Sequence, residues 1–96
     1  MMRQVPITPG SELGDFHIEK LLGRGGFKAV YGATNRRPDV NRYPERVALA
    51  LPHFQDEEAR RLLENEFRVV KSLNHPNIAR QYAIEEVGDT LFCVME

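Results

Sequence analysis

A single segment of this chain has the pattern of an amphipathic helix, and almost everything around it has the pattern of strands. Between Asp56 and Leu73, the residues Ala59, Leu62, Leu63, Phe67, Val70 and Leu73 recur at i, i+3 and i+4 spacing and define one apolar face. Asp56, Glu57 and Glu58 load the first turn with negative charge, which the helix dipole favours. Asn74-His75-Pro76 then ends the helix, because proline cannot continue it. Before the helix, Phe16 to Leu22, Phe27 to Thr34 and Arg46 to Pro52 read as strands, the third mostly apolar and therefore buried. After it come two more, Tyr82 to Val87 and Leu91 to Met95. Glycines close two hairpins, at Gly23-Arg24-Gly25-Gly26 and at Gly88-Asp89, and Asn35 to Pro44 is a polar loop. The order β-β-β-α-β-β predicts an α+β fold, a five-stranded antiparallel sheet with one main helix packed on it.

Ninety-six residues suffice for one small domain, and 42% apolar with 28% charged residues fits a soluble core of modest size. A net charge of -1 carries no electrostatic footprint for nucleic acid or a membrane surface. No apolar run is long enough to span a bilayer, and Met1 to Gly14 lacks the apolar region of a signal peptide. The lone Cys93 excludes an internal disulfide and suits a reducing, cytoplasmic compartment. His17, His53 and His75 are scattered, with no metal-type spacing, so no metal site is expected. Residues 1–13 are expected to be a flexible leader and residues 14–96 the domain. The last residues, L-F-C-V-M-E, stop in mid-strand, as in a piece of a longer chain.

Two features carry chemistry. A glycine-rich turn such as Gly23-Arg24-Gly25-Gly26 lets backbone N–H groups approach phosphate oxygens with no Cβ in the way, although glycines in a hairpin are as often only a turn. Glu66 lies four residues after Leu62 and four before Val70, on or beside the apolar face. It either reaches water at the edge of that face or holds a basic residue, because an unpaired carboxylate against a sheet is costly. The third strand, V-A-L-A-L-P, offers no such residue, since position 50 is alanine. Side chains recur on one strand face every second residue, so Lys28 shares a face with Val30, and Ala48 with Ala50. The small side chain of Ala50 leaves room for a lysine arriving from the neighbouring strand; otherwise Lys28 is a solvated turn residue.

Five stretches in this order resemble the N-terminal lobe of a eukaryotic-type protein kinase: L-G-R-G-G-F-K-A-V-Y-G, V-A-L-A in place of V-A-I-K, the helix glutamate of E-F-R-V-V-K-S-L, the turn H-P-N-I, and L-F-C-V-M-E running into the hinge. The likeness covers about Leu13 to Glu96. Lys28 stands where the third glycine of G-x-G-x-x-G is usual, and Ala50 stands where the lysine is usual. That paired gain and loss resembles the with-no-lysine kinases, in which the phosphate-binding lysine sits on the glycine-loop strand.

The resemblance implies a serine/threonine protein kinase that passes the γ-phosphate of ATP to protein hydroxyls. Lys28 and Glu66 would then be the paired catalytic residues. Gly23, Arg24, Gly25, Gly26 and Phe27 would cover the phosphates, Leu22, Val30 and Ala48 would pack on the adenine, Met95 would be the gatekeeper, and Glu96 would open the hinge. ATP and Mg²⁺ are the implied cofactors, with the metal ligands, catalytic loop and activation segment in a C-terminal lobe absent from these residues. The 96 residues alone are therefore expected to be inactive, and a lobe without its neighbour is expected to self-associate. The other reading of the same likeness is a pseudokinase lobe that binds or scaffolds. The resemblance also puts Gln81 opposite Val70, where most kinases have an apolar residue; a polar side chain there needs a partner or a shifted strand.

Overall fold

The structure, a computed structural model, describes residues 7–38, 42–73 and 79–96. It contains strands β1 (Glu12–Leu13), β2 (Phe16–Arg24), β3 (Lys28–Asn35) and β4 (Arg46–Pro52), helix α1 (Glu57–Leu73), and strands β5 (Gln81–Val87) and β6 (Thr90–Met95). The strands form one antiparallel sheet in the order β1-β2-β3-β4-β6-β5. The α+β class and the order of elements are as expected. The expected five strands become six because Glu12–Leu13 folds back on β2, pairing with Phe16 and His17. Leu13 enters the core, and backbone hydrogen bonds run from Gly10 N–H to the Ile18 carbonyl (2.8 Å) and from Ile18 N–H to the Ser11 carbonyl (2.9 Å). A two-residue strand has no periodicity to read, so only its pairing reveals it.

Strict alternation along β3, β4 and β6 sorts their side chains onto two faces. Ala29, Tyr31 and Ala33 of β3, Val47, Leu49 and Leu51 of β4, and Phe92 and Val94 of β6 join Phe16, Ile18, Leu13 and Tyr43 in the larger core cluster. Phe92 is fully buried there, with its ring edge-on to Phe16 at 5.8 Å between centroids. The opposite face carries a smaller cluster of Ala50, Leu63, Leu91 and Cys93, with Phe27, Val30, Phe67, Ile84 and Met95 packed on it. This second face receives the helix.

The polar loop expected from Asn35 to Pro44 contributes more than a connection. Asn35 is buried, and its side-chain amide donates to the carbonyls of Tyr43 and Pro44, both at 3.3 Å. These bonds hold the Tyr43 ring in the core, where its hydroxyl donates to Glu85. The helix begins at Glu57, with Asp56 as its N-cap: the Asp56 Oδ1 accepts from Ala59 N–H at 2.8 Å. Its expected apolar face is only partly realised. Ala59 and Leu63 are buried, but Leu62 and Leu73, placed in that face by their spacing, are 48% and 53% exposed. The reason is geometric: α1 meets the sheet along one narrow row, and Leu62, Val69 and Leu73 lie on its flank. The H-P-N-I turn and the Asn74-His75-Pro76 stop lie outside the described residues.

Candidate functional site

The site is a cross-strand surface on the helix side of the sheet. Its register gives three adjacent rows. In the first, the Leu22 side chain lies over Gly32, with an ideal Cβ on Gly32 only 3.7 Å from it; Gly32 pairs with Ala48, Ala48 with Met95, and Met95 with Gln81. In the second, Val30 pairs with Ala50, Ala50 with Cys93, and Cys93 with Ile84. In the third, Lys28 lies opposite Pro52. An irregularity in β2 between Leu21 and Gly23 leaves Leu22 without a register partner, and a bulge of this kind re-aims a side chain. Leu22, Val30 and Ala48, expected against the adenine, and Met95, expected as the gatekeeper, lie along these adjacent rows as an apolar floor. Leu22 is 54% exposed while Ala48 is buried, so this floor opens at its β2 side.

Lys28 and Val30 lie on the same face of β3, and the Ala50 methyl group leaves the space beside Val30 low. Lys28 Nζ forms an ion pair with Glu66 Oε1 of α1. The side chains are 23% and 41% exposed, so Glu66 both borders solvent and holds the base. Desolvation of the part-buried ammonium lowers the Lys28 pKa from the ordinary lysine value, while Cys93 acts in the opposite direction. Contact with the carboxylate favours the charged form. Burial pushes the Cys93 thiol up to about 11, with Lys28 and Lys71 opposing.

The glycine-rich turn caps this surface. Gly23 pairs with Val30 and Arg24 with Ala29, and Gly25 N–H donates to the Lys28 carbonyl at 2.8 Å. Phe27 does not stand free at the turn. Its side chain packs on the helix-side cluster, and a cleft of about 160 Å³ lies beside it, lined by Gly26, Phe54, Asp56, Ala59 and Leu62 among others. Sequence reasoning missed His53. Its backbone N–H donates to the Phe27 carbonyl at 2.9 Å and its Nε2 lies 2.7 Å from the Gly25 carbonyl. The available signal was its position next to Pro52, which ends strand pairing beside the turn.

At the far end, Glu96 is exposed and its N–H donates to the Arg80 carbonyl at 2.8 Å. Gln81 is 8% exposed, lies opposite Met95, and its Oε1 has no hydrogen-bond partner. The register of β5 is irregular between Gln81 and Ala83. The polar side chain thus coincides with an irregular strand register. Among the described residues, no group of three or more His, Cys, Asp or Glu side chains could hold a metal ion, and no helix is long and apolar enough to cross a membrane.

No protein-family model matches the chain. Solved kinase domains superpose on it: one with a TM-score of 0.75 at 16% identity, covering 97% of this chain and 27% of that one. The kinase domain of PknI from Mycobacterium tuberculosis gives a TM-score of 0.62 at 22% identity, over 94% and 36%. The chain has the fold of a protein kinase N-terminal lobe. Relatives by sequence include proteins named as kinases. The probable serine/threonine-protein kinase MARK-A of Dictyostelium discoideum is 32% identical over 95 residues, 96% of this chain and 8% of the relative. The mitogen-activated protein kinase kinase kinase 5 of Arabidopsis thaliana is 34% identical over 77 residues, 80% and 11%. The serine/threonine-protein kinase PknJ of Mycobacterium tuberculosis is 31% identical over 90 residues, 94% and 15%. The lobe therefore spans only 8–15% of the length of these three relatives.

Proposed function

We propose that this lobe binds ATP as part of a serine/threonine protein kinase, and that Lys28 on β3 supplies the phosphate-binding charge that the β4 position, taken by Ala50, does not. The observation that supports this is the Lys28–Glu66 ion pair, made by a lysine on the strand next to the one that carries Ala50. A kinase needs a fixed cation at the phosphates, and a helix carboxylate that orients it. The same pairing is what a with-no-lysine kinase requires of its glycine-loop strand.

In this reading the turn residues Gly23, Arg24, Gly25, Gly26 and Phe27 cover the phosphates, where backbone N–H groups and the Lys28 ammonium offset negative charge. Leu22, Val30, Ala48 and Met95 supply the apolar floor for the adenine, and the backbone at Glu96 faces its edge. These donor types fit a polyanionic nucleotide. Mg²⁺ would accompany ATP and offset charge on its phosphates, with protein ligands outside this lobe. The lobe holds and orients the nucleotide, and the protein hydroxyl and its base belong to the other lobe. The coverage of the relatives supports placing this lobe at the start of a two-lobed catalytic domain.

The test is phosphate transfer from ATP–Mg²⁺ to a general protein substrate by the protein carrying both lobes. Lys28→Met is expected to lower the rate by about 10² or more, the usual cost of removing a group that stabilises developing charge. Transfer that survives in Lys28→Met would sink the displaced lysine. A wild-type protein that neither transfers phosphate nor binds ATP would leave the pseudokinase reading in its place.

A further inference from the structure

We infer that His53 is a positioning residue, which sets the direction in which the glycine-rich turn presents its N–H groups. This rests on the nucleotide-binding reading above. The turn is held at two points by one residue: the His53 ring Nε2 lies 2.7 Å from the Gly25 carbonyl, and the His53 backbone N–H donates to the Phe27 carbonyl at 2.9 Å. A carbonyl oxygen can only accept, so Nε2 carries the proton and donates.

A peptide group is planar and trans, so its C=O and the N–H that follows point in opposite directions. Drawing the Gly25 carbonyl toward the His53 ring therefore turns the Gly26 N–H the other way. His53 borders a cavity of about 250 Å³ shared with Arg24, Ala29, Tyr31 and Leu51. Ala29, Tyr31 and Leu51 belong to the sheet face opposite Lys28 and Val30. The Gly26 N–H is consequently directed toward the face where the Lys28 ammonium lies. In a closed two-residue hairpin, the Gly25 carbonyl would accept from Lys28 N–H. Here the His53 ring takes that carbonyl. A glycine-rich turn has many accessible backbone states, and tying one of its carbonyls to a side chain on β4's exit selects the state in which an N–H faces an anion.

The experiment measures binding of ATP, ADP and adenosine to the full-length protein by calorimetry, in wild type, His53→Phe and His53→Gln. Phenylalanine keeps the ring volume and removes the donor. We expect His53→Phe to weaken ATP and ADP about fivefold to tenfold, the scale of one lost hydrogen bond, and to leave adenosine within about twofold. Gln, which retains an N–H donor, should recover most of the loss. Equal weakening of adenosine and ATP would mean a structural role only and would overturn the proposal. Unchanged ATP affinity in His53→Phe would overturn it too, while leaving nucleotide binding intact. Wild-type protein that binds neither ATP nor adenosine would remove the nucleotide reading itself. Should His53→Phe fail to fold, nitrogen-15 spectra of the wild type decide the matter. The Gly26 N–H resonance is expected to move with ATP and ADP and to stay in place with adenosine, and a Gly26 signal indifferent to phosphate overturns the assignment.

Discussion

The Lys28–Glu66 ion pair joins side chains that are 23% and 41% exposed, so water screens it. Exposed pairs contribute about 0–1 kcal/mol to stability. Glu66→Gln is accordingly expected to change the unfolding free energy by less than about 1 kcal/mol in urea titrations. In the two-lobed protein the same change should lower phosphate transfer about tenfold or more, equivalent to about 1.4 kcal/mol of barrier. A stability loss that accounts for the whole fall in rate would mean the pair is structural. Cys93 beside it behaves in the opposite sense. Folding holds its proton, since burial raises its pKa from 9.0 to about 11. Its share of stability is therefore fully present below pH 9.0 and is lost as pH rises through about 11. Alkylation at pH 8 should run about 100-fold slower in the folded chain than in urea, because a shift of about two units removes that fraction of thiolate. Cys93→Ala should show a smaller alkaline loss of stability than wild type. At this scale the shared strand face of Lys28 and Val30 and the small side chain of Ala50 were legible from spacing, while a phosphate role for Lys28 is what the resemblance adds. His53 was not legible, because its role depends on two carbonyls brought next to it by the turn.

Among the elements, α1 was the most legible and also the least accurately read at its flank. The charges of Asp56, Glu57 and Glu58 marked its start, and the structure turns the first of them into the cap. Asp56→Ala is expected to destabilise the lobe by about 1 kcal/mol, measured as a lowered urea midpoint with an unchanged slope. The apolar spacing over-counted the buried face, because periodicity reports which residues share a side and not how wide the contact is. Strand alternation worked better: in β4 it separates Val47, Leu49 and Leu51, which join the larger cluster, from Ala50, which joins the smaller. The β5–β6 hairpin also followed from its turn. Val87 pairs with Thr90 across Gly88, whose φ of 59° lies in the left-handed region that glycine adopts without strain. The irregularity at Gln81 was one of two outcomes the sequence left open, a partner or a shifted strand, and alternation alone does not choose between them, since a bulge changes register without changing composition.

The whole lobe is one sheet with a core on each side, and the larger core is centred on Phe92. Phe92→Ala should cost about 3–5 kcal/mol. Small domains hold about 5–15 kcal/mol in total, so the variant lobe should be partly unfolded in calorimetry at 37 °C. The outer flank of α1 is less settled. Leu62, Val69 and Leu73 are 48%, 50% and 53% exposed and follow one another at i, i+7 and i+11, a single apolar stripe. Residues 1–96 alone are expected to self-associate in sedimentation runs at rising concentration, and Leu62→Glu with Val69→Glu should reduce it. Monomers at every concentration would show that the stripe is too narrow to hold a partner.

The sequence by itself determined the order of elements, the antiparallel class and the glycine-rich turn between the first two long strands. These are local properties: periodicities, turn residues and the alternation of a strand can be read from neighbours in the chain. Only the tertiary structure decided that Lys28 meets Glu66, that Glu12–Leu13 adds a sixth strand, and that His53 holds the glycine turn. Only it decided, too, that three of the helix's seven apolar residues, Leu62, Val69 and Leu73, stay exposed. Each of these depends on which residues distant in the chain come within a few ångströms, and on how wide their contact is. No spacing along the sequence carries that information.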